Sequence, residues 1–159
     1  MTELRTVQTV SETPEIIQLP YGIEQANTYL VVEDTHVAVI DVCSASAVGE
    51  IKDRGLVPDY VLLTHEHVDH LWGLNVIREA FPNVKVIAQK RCGSAIQNPK
   101  TNKASQYRIY AILRFGEGYI NKEAENRKYC CDRAEIEFDD SYKFEWNGHR
   151  IKYSTYTWP

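Results

Sequence analysis

Three of the five histidines in this 159-residue chain fall within one short segment, as His65, His67 and His70, and Asp69 lies among them. His65 and His67 can direct their side chains to the same side of an extended loop, because alternate residues of an extended chain share a face. Two imidazoles placed in this way suit one zinc ion, and Asp69 and His70 can bind a second ion close by. The same ligands also suit iron or manganese. The segment therefore predicts two neighbouring metal ions that activate a bridging water.

Two other interpretations of this segment are weaker. A polar surface loop with unrelated histidines does not account for this order of ligands directly after an apolar strand. Glu66 suggests the motif H-E-x-x-H, but position 69 is aspartate where that motif needs histidine. We therefore expect Glu66 to face solvent or to support the ligands, and not to act as a catalytic base.

Composition narrows the class of protein further. The chain is 43% hydrophobic, which is enough for one core, and its 22 acidic and 18 basic residues give a net charge of −4. Because no basic patch is present, we expect no binding to nucleic acid. No apolar run reaches the length of a transmembrane helix and none follows the N-terminus as a signal peptide would, so we expect no membrane association and a cytoplasmic location.

The four cysteines, at positions 43, 92, 130 and 131, form no C-x-x-C pair. We interpret them as free thiols of a reducing compartment. A metal-binding role for the adjacent residues Cys130 and Cys131 is the alternative.

Hydrophobic periodicity predicts an α/β chain with a mostly buried sheet. The order of strand, helix, strand, helix, strand places the His-Asp cluster at the carboxyl end of a strand, where open α/β sheets bind ligands. In chain order, the predicted elements are a hairpin of Tyr29–Val32 and Val37–Ile40, a helix capped by Ser44 or Ser46 and stopped near Gly55, a strand Tyr60–Leu63, a helix that starts at Leu71 and ends at Phe81-Pro82, a strand Val84–Ile87, and a late hairpin of Tyr142–Trp146 and Arg150–Ser154 around Asn147-Gly148.

Two residues next to the cluster are expected to support it. Asp41 ends the strand beside the one that carries the cluster, and Thr64 directly precedes His65. We expect Asp41 to accept hydrogen bonds from the ligand loop and, with Thr64, to support the metal ligands without binding metal. His36 and His149 lie in or beside predicted hairpin turns, and we expect both to be ordinary surface residues.

Residues 89–140 have a different pattern, polar and helical in pieces, and we expect them to form a helical insertion. Its strongest predicted helix is Ala104–Leu113. Tyr107, Arg108 and Tyr110 on that helix are candidates for a pocket wall, and packing of the same face against a core is the alternative.

These motifs together resemble the metallo-β-lactamase-fold hydrolase superfamily, and in particular its glyoxalase-like branch. The resemblance extends from about Glu15 to Pro159 and is carried most specifically by the ligand pattern. The matching motifs are His65-x-His67-x-Asp69-His70 with Thr64 before it and Gly73 after it, Asn27-x-Tyr29-Leu30-Val31, Ile40-Asp41, and Asn98-Pro99-Lys100-Thr101-Asn102.

The resemblance implies a four-layer αβ/βα sandwich in which His65 and His67 bind one metal and Asp69 and His70 the other. Members of this kind are zinc-dependent hydrolases of thioesters, lactams, lactones or phosphodiesters. It implies that a metal-bound hydroxide attacks a small-molecule ester, thioester, lactam or phosphoester, with Asp69 orienting it and taking a proton. A minority of members use iron for redox chemistry, but the iron-type pattern has Glu where this chain has His67, which favours the hydrolase branch.

The family's late hairpin leads into a Thr-Pro-Gly-His turn, and Thr157-Trp158-Pro159 resembles the start of that turn. The sequence is therefore interpreted as a single domain, residues 1–159, that is incomplete at its C-terminal end and carries the ligands of the first half only. A half-sandwich leaves a sheet face uncovered, so we expect a homodimer or larger homo-oligomer. The alternatives are a catalytically inactive member with a partial metal site and an iron-dependent oxidoreductase of the same fold.

Overall fold

The computed structural model describes residues 13–20, 26–98, 101–102, 113 and 131–154. Within these residues the chain forms a six-stranded sheet, a two-stranded sheet and four short helices. The elements are β1 (Glu15–Leu19), β2 (Thr28–Glu33), β3 (His36–Ile40), α1 (Ser46–Asp53), β4 (Val57–Leu63), α2 (Val68–Leu71), α3 (Leu74–Ala80), β5 (Lys85–Gln89), α4 (Lys90–Ala95), β6 (Ile136–Phe138), β7 (Ser141–Trp146) and β8 (His149–Ser154).

The large sheet has the strand order β1-β2-β3-β4-β5-β6 and combines two kinds of pairing. Strands β1, β2 and β3 pair antiparallel, whereas β3, β4, β5 and β6 pair parallel. Parallel neighbours need crossover connections, and the helices supply them. As a result, the carboxyl ends of β3, β4, β5 and β6 lie along the same edge of the sheet. This mixed α/β architecture agrees with the sequence prediction.

One face of the sheet forms the main core. Leu30, Val39, Val61 and Val86 on neighbouring strands are completely buried and belong to one hydrophobic cluster with residues of α1 and α3. Burial of such side chains stabilises the fold by about 1.5–3 kcal/mol each. The cluster residues of α1 and α3 recur at helical spacing, which places them on one face of each helix: Ala47, Val48 and Ile51 in α1, and Leu74 and Ile77 in α3.

Helix α1 ends as the sequence predicts but begins differently. Gly55 follows it with a φ of 67°, a conformation that glycine adopts without steric cost. Its N-cap is Ala45, and no side chain caps the helix. The Ser44 hydroxyl accepts a hydrogen bond from the Ser46 amide within the first turn instead. The predicted capping by Ser44 or Ser46 is therefore wrong in its detail, although the helix is present.

The opposite face of the sheet is partly covered by the β7–β8 hairpin. Asn147 and Gly148 form its two-residue turn with φ values of 46° and 81°, which match the right-handed twist of the strands. Phe144 packs on Tyr60 of β4, and Tyr153 packs on Phe138 of β6, with ring centroids 5.0 and 4.7 Å apart. The side chains on the outward face of the hairpin are charged and exposed: Lys143, Glu145, Arg150 and Lys152.

Polar contacts fix the hairpin to the edge of the sheet where β2 ends and β3 and β4 begin. Asp59 accepts hydrogen bonds from the indole of Trp146 and from His36, both at 2.8 Å. His149 bonds to Glu33 at 2.9 Å. We call these five residues the hairpin anchor. His36 and His149, which we expected to be ordinary surface residues near turns, are the first residues of β3 and β8 and hold the hairpin in place.

Three elements have no counterpart in the sequence prediction: β1, α2 and β6. The helix predicted from Leu71 onward is divided at Trp72-Gly73 into α2 and α3. Residues 89–140, predicted to be helical in pieces, include the end of β5, helix α4 and strand β6. The predicted helix Ala104–Leu113 and its candidate wall residues Tyr107, Arg108 and Tyr110 lie outside the described residues, apart from residue 113.

None of the helices in the described ranges is long and apolar enough to cross a membrane. Cys43, Cys92 and Cys131 are buried and form no disulfide among the described residues, and Cys130 lies outside those residues.

Candidate metal-binding site

The predicted ligands lie at the carboxyl edge of the sheet, on the segment from Thr64 to His70 that we call the ligand loop. The loop begins directly after β4, and its last residues form the start of α2. Asp41 lies beside it, because β3 and β4 are parallel and Ile40 pairs with Leu62. The register of two buried strands therefore brings the loop and Asp41 together.

Asp41 is the centre of a hydrogen-bond network under the loop. It is 3% exposed and has a φ of 55°, a left-handed conformation that Asp tolerates better than most residues. Its Oδ1 accepts the Thr64 backbone N–H at 2.8 Å, and its Oδ2 accepts the Thr64 hydroxyl at 2.6 Å and Nδ1 of His70 at 2.7 Å. Asp41 therefore accepts hydrogen bonds from the ligand loop, in the arrangement expected from the sequence.

These bonds also orient the imidazoles. Because the Thr64 hydroxyl donates to Asp41, its oxygen is left to accept from Nδ1 of His65, which lies 2.9 Å away. His70 likewise uses Nδ1 for Asp41. The Nε2 atoms of His65 and His70 are then the ring nitrogens left for a metal, since a ligating imidazole fixes its orientation through the other nitrogen.

The histidine rings and Asp69 lie close together. The ring centroid of His65 is 4.6 Å from that of His67 and 4.0 Å from that of His70. One oxygen of Asp69, Oδ2, lies 3.5 Å from Nε2 of His70. The other, Oδ1, is buried and has no hydrogen-bond partner. A buried carboxylate oxygen without a partner is costly, and a cation is a partner that would satisfy it.

The electrostatics of the two outer histidines differ. Burial and the positive charges of His70 and His67 lower the pKa of His65, against the attraction of Asp41 and Asp69. Burial also acts to lower the pKa of His70, but its hydrogen bonds to Asp41 and Cys43 and the charges of Asp41 and Asp69 outweigh that effect and raise the pKa to about 10. The imidazole of His65 is therefore the more readily neutral of the two.

The donor chemistry fits zinc, but the ligand sets are incomplete as they stand. In the described part of the chain, no three His, Cys, Asp or Glu side chains are arranged to hold a single ion. His65 with His67, and Asp69 with His70, form two pairs of zinc-type donors. Because tetrahedral zinc takes four ligands, each ion would need partners beyond its pair. The orphaned Asp69 oxygen is the observation that favours a cation here.

Other residues contact the loop although the sequence analysis gave them no role in the site. The Cys43 backbone N–H donates to the Thr28 hydroxyl at 3.0 Å, and the Cys43 thiol helps to raise the pKa of His70. The amide of Val68 donates to the carbonyl of Asn102 at 3.0 Å. Asn102 belongs to a motif of the resemblance, whereas no local pattern marks Thr28 or Cys43. Cys92 is a buried neighbour whose pKa is raised to about 12 by burial and by the charges of Glu66, Asp41 and Glu137, so its thiol stays protonated.

Fold and loop together define an α/β protein with a His-x-His-x-Asp-His segment at the carboxyl edge of a mixed sheet. The family model of the metallo-β-lactamase superfamily matches residues 21–140, which is more than half of the chain. The chain therefore belongs to the metallo-β-lactamase superfamily.

Curated relatives match shorter stretches of the chain. A hydroxyacylglutathione hydrolase of Stenotrophomonas maltophilia is 41% identical over 59 residues, which is 37% of this chain and 23% of that protein. The probable metallo-hydrolase YqgX of Bacillus subtilis is 36% identical over 64 residues, 39% of this chain and 30% of that protein. The chain thus spans less than a third of the length of these curated relatives.

Solved structures confirm the fold over a longer stretch. The B3 metallo-β-lactamase BLEG-1 superposes with a TM-score of 0.66 at 20% identity, and the superposed region is 86% of this chain and 58% of the BLEG-1 chain. ST1585 of Sulfolobus tokodaii, an archaeal superfamily protein, gives a TM-score of 0.53 at 18% identity over 86% of this chain and 53% of its own. The fold is therefore the metallo-β-lactamase fold that the sequence predicted.

Proposed function

We propose that this chain provides part of the active site of a zinc-dependent hydrolase. His65 and His67 would hold one zinc ion, and Asp69 and His70 a second. The observation that carries the proposal is the buried Asp69 Oδ1 without a partner, beside three clustered imidazoles. Bound zinc would supply a water of lowered pKa and polarisation of the carbonyl or phosphoryl oxygen under attack.

The remaining contributions come from residues of the chain. Asp69 would bind zinc through Oδ1, the oxygen without a hydrogen-bond donor, and its carboxylate would orient the attacking water and take up its proton. Asp41 would hold the His70 ring in one orientation through Nδ1, and Thr64 would do the same for His65. The low exposure of Asp41 strengthens these bonds.

Thioesters are the substrate class to test first. The name hydroxyacylglutathione hydrolase describes relatives that act on a thioester, and the same type of site suits esters and lactams. Phosphoesters, lactones and iron- or manganese-loaded protein belong in the same screen.

Metal content tests the proposal directly. Protein purified without chelator is analysed for metals, and chelator-stripped protein is then titrated with zinc. We expect uptake of up to two zinc ions per chain, and clear loss of uptake in the variant His67→Ala. His36→Ala is the matched control, because His36 lies in the hairpin anchor, and it should bind zinc as the unmodified chain does. A chain that takes up no zinc contradicts the proposal.

The absence of a three-ligand group in the described residues favours a second candidate, a family member that binds metal weakly and has no turnover of its own. The two candidates differ in the thioesterase assay. Zinc-loaded protein that hydrolyses thioesters, and loses this activity in His67→Ala, supports the hydrolase. Zinc uptake of one ion or less without hydrolysis supports the non-catalytic binder.

We also propose that the chain forms a homo-oligomer. Val31, Ile40 and Leu62 are apolar residues that stay partly exposed on the sheet face opposite the helices, and a second copy could cover them. Light scattering at micromolar concentration should give at least twice the chain mass. A well-folded monomer at that concentration contradicts this part of the proposal.

A further inference from the structure

The turn that follows α4 contacts the ligand loop. Asn102 is 1% exposed, and its carbonyl oxygen accepts the backbone N–H of Val68 at 3.0 Å. Val68 is the first residue of α2, and Asp69 and His70 follow it. The Asn102 carbonyl thus holds the N-terminus of the helix that carries two of the four predicted ligands.

This contact matters because α2 has little stability of its own. The helix has four residues, and its N-cap His67 makes no side-chain capping bond. Such a short helix cannot fix its own orientation, since isolated helices of this length do not form. Its C-terminal end is held separately, where the Val42 amide donates to His70 O and the Gly73 amide donates to Val42 O, at 3.0 and 2.7 Å. The position of α2 therefore depends on external contacts at both ends.

Thr101 fixes the turn that presents the Asn102 carbonyl. Its hydroxyl lies 2.7 Å from the Ala95 carbonyl and 2.9 Å from the Asn98 carbonyl. The backbone amides of Thr101 and Asn102 both donate to the same Asn98 oxygen at 3.0 Å. Ala95 is the last residue of α4, so the hydroxyl of Thr101 joins the turn to that helix.

We propose that Thr101 is a positioning residue for the metal ligands, acting through the Asn102 carbonyl and the Val68 amide on the orientation of α2. The chain of contacts runs from α4 through the Thr101 hydroxyl to the turn, and from the turn to the start of α2. Loss of the hydroxyl loosens the Asn102 carbonyl and lets Asp69 and His70 move relative to His65 and His67. The metal part of this inference rests on the proposed function, but the contact itself does not.

Three variants test the inference. Thr101→Val removes the hydroxyl and keeps the shape, whereas Thr101→Ser restores the hydroxyl. Ser94→Ala is the matched control, because Ser94 makes the same kind of bond, from its hydroxyl to the Lys90 carbonyl at 3.2 Å, on α4 but away from the turn. Thr101 is exposed, so folding should survive all three substitutions.

The first readout is hydrogen exchange of the Val68 amide in metal-free protein, with the buried β4 and β5 amides of Val61 and Val86 as references. A neutral hydrogen bond contributes about 0.5–1.5 kcal/mol net, so Thr101→Val should speed Val68 exchange by about 2- to 10-fold. In Thr101→Val, the two reference amides should exchange at their original rates. In Thr101→Ser and Ser94→Ala, the Val68 amide should also exchange at its original rate. Unchanged Val68 exchange in Thr101→Val overturns the inference.

The second readout is zinc affinity, measured by competition with a chromophoric chelator. We expect Thr101→Val to weaken zinc binding by about 2- to 10-fold, as the loss of one supporting hydrogen bond predicts. Thr101→Ser should recover the original affinity. Faster Val68 exchange with unchanged zinc affinity overturns the role of Thr101 in positioning ligands. If the unmodified chain binds no zinc, the proposed function fails, while Val68 exchange still decides the structural link.

Discussion

The two ends of the large sheet each contain histidines bonded to carboxylates, at almost equal distances. At the carboxyl edge His70 bonds to Asp41 at 2.7 Å, and in the hairpin anchor His36 bonds to Asp59 at 2.8 Å. The surroundings differ: the side chains of His70 and Asp41 are 20% and 4% exposed, whereas those of His36 and Asp59 are 46% and 29% exposed. The distance between a histidine nitrogen and a carboxylate oxygen therefore does not distinguish the ligand loop from the hairpin anchor, whereas the exposure of the two side chains does.

The number of hydrogen bonds that each carboxylate accepts also differs between the two ends of the sheet. Asp41 receives three hydrogen bonds, all from the ligand loop, in a nearly dry environment. Asp59 receives two, from His36 and Trp146, at a site that water reaches. A buried charge whose partners are removed costs far more than an exposed one. Substitutions at the two ends should therefore differ in size and in their effect on zinc binding.

The largest effect is expected for Asp41→Asn. The amide keeps the shape but removes the buried charge that faces His70, which leaves a largely buried imidazole without its counter-ion. We expect a loss of about 3 kcal/mol in the free energy of unfolding of the metal-free protein. Zinc affinity should fall by about 10- to 100-fold, the usual effect of losing a residue that orients a metal ligand. Urea denaturation and chelator competition measure the two effects. If Asp41→Asn lowered the free energy of unfolding by less than Asp59→Ala does, the comparison between the two ends of the sheet would be wrong.

The second effect concerns packing beneath the ligand loop. A Cβ atom on Gly73 would lie 2.5 Å from Cγ1 of Val42 and 2.6 Å from the carbonyl oxygen of Ser44. Gly73→Ala should therefore destabilise the fold by about 1–3 kcal/mol, since a rigid backbone atom must move. Gly49→Ala in α1 is the control, because nothing lies within 4 Å of its added Cβ, and it should stabilise by up to about 1 kcal/mol. Equal melting temperatures for the two variants would contradict the close approach at Gly73.

At the hairpin anchor, Asp59→Ala removes the acceptor of both His36 and Trp146. The buried Trp146 indole N–H is then left unpaired, so we expect a loss of about 1–2 kcal/mol. Zinc affinity should remain unchanged, because the anchor lies at the edge of the sheet opposite the ligand loop, where β3 and β4 begin. Tryptophan fluorescence during urea unfolding, with zinc titration of the same sample, checks both statements. Weaker zinc binding in this variant would show that the two ends are coupled.

The smallest effect is expected on the outer face of the hairpin. Arg150 and Glu145 are 3.8 Å apart with side chains 92% and 81% exposed. Arg150→Gln should change the free energy of unfolding by less than about 0.5 kcal/mol, as is usual for exposed pairs. A larger loss in urea denaturation would mean that this face is covered in solution.

The regular, strongly patterned parts of the fold could be predicted from the sequence. The β2–β3 hairpin, β4, α3, β5 and the β7–β8 hairpin follow from alternation, apolar runs and turn residues such as Asn147-Gly148. In the site, the side-by-side placement of Asp41 and the ligand loop followed from their positions at the ends of neighbouring strands. The metal ligands themselves stay a prediction until metal is measured.

The missed elements depend on contacts that no local pattern encodes. Strand β6 has three residues and forms because Ile136 pairs with Ile87, while Arg78 of α3 bonds to the carbonyls of Asp132 and Arg133 just before it. Helix α4 lies in a segment predicted to be helical in pieces, but its bounds were not predicted, because it contains Gly93, a poor helix former, at a point where the Glu137 side chain occupies the space a Cβ would need. Tertiary packing determines the secondary structure of such segments, because they are too short to show a hydrophobic period in the sequence.

The turn after α4 also ties together the parts of the chain on either side of positions 103–130. The Cys131 amide donates to the carbonyl of Ile96 at 2.9 Å, and the Val68 amide donates to the carbonyl of Asn102 at 3.0 Å. The described residues that flank this interval are therefore each held by the sheet-and-helix frame itself, whatever sequence lies between them.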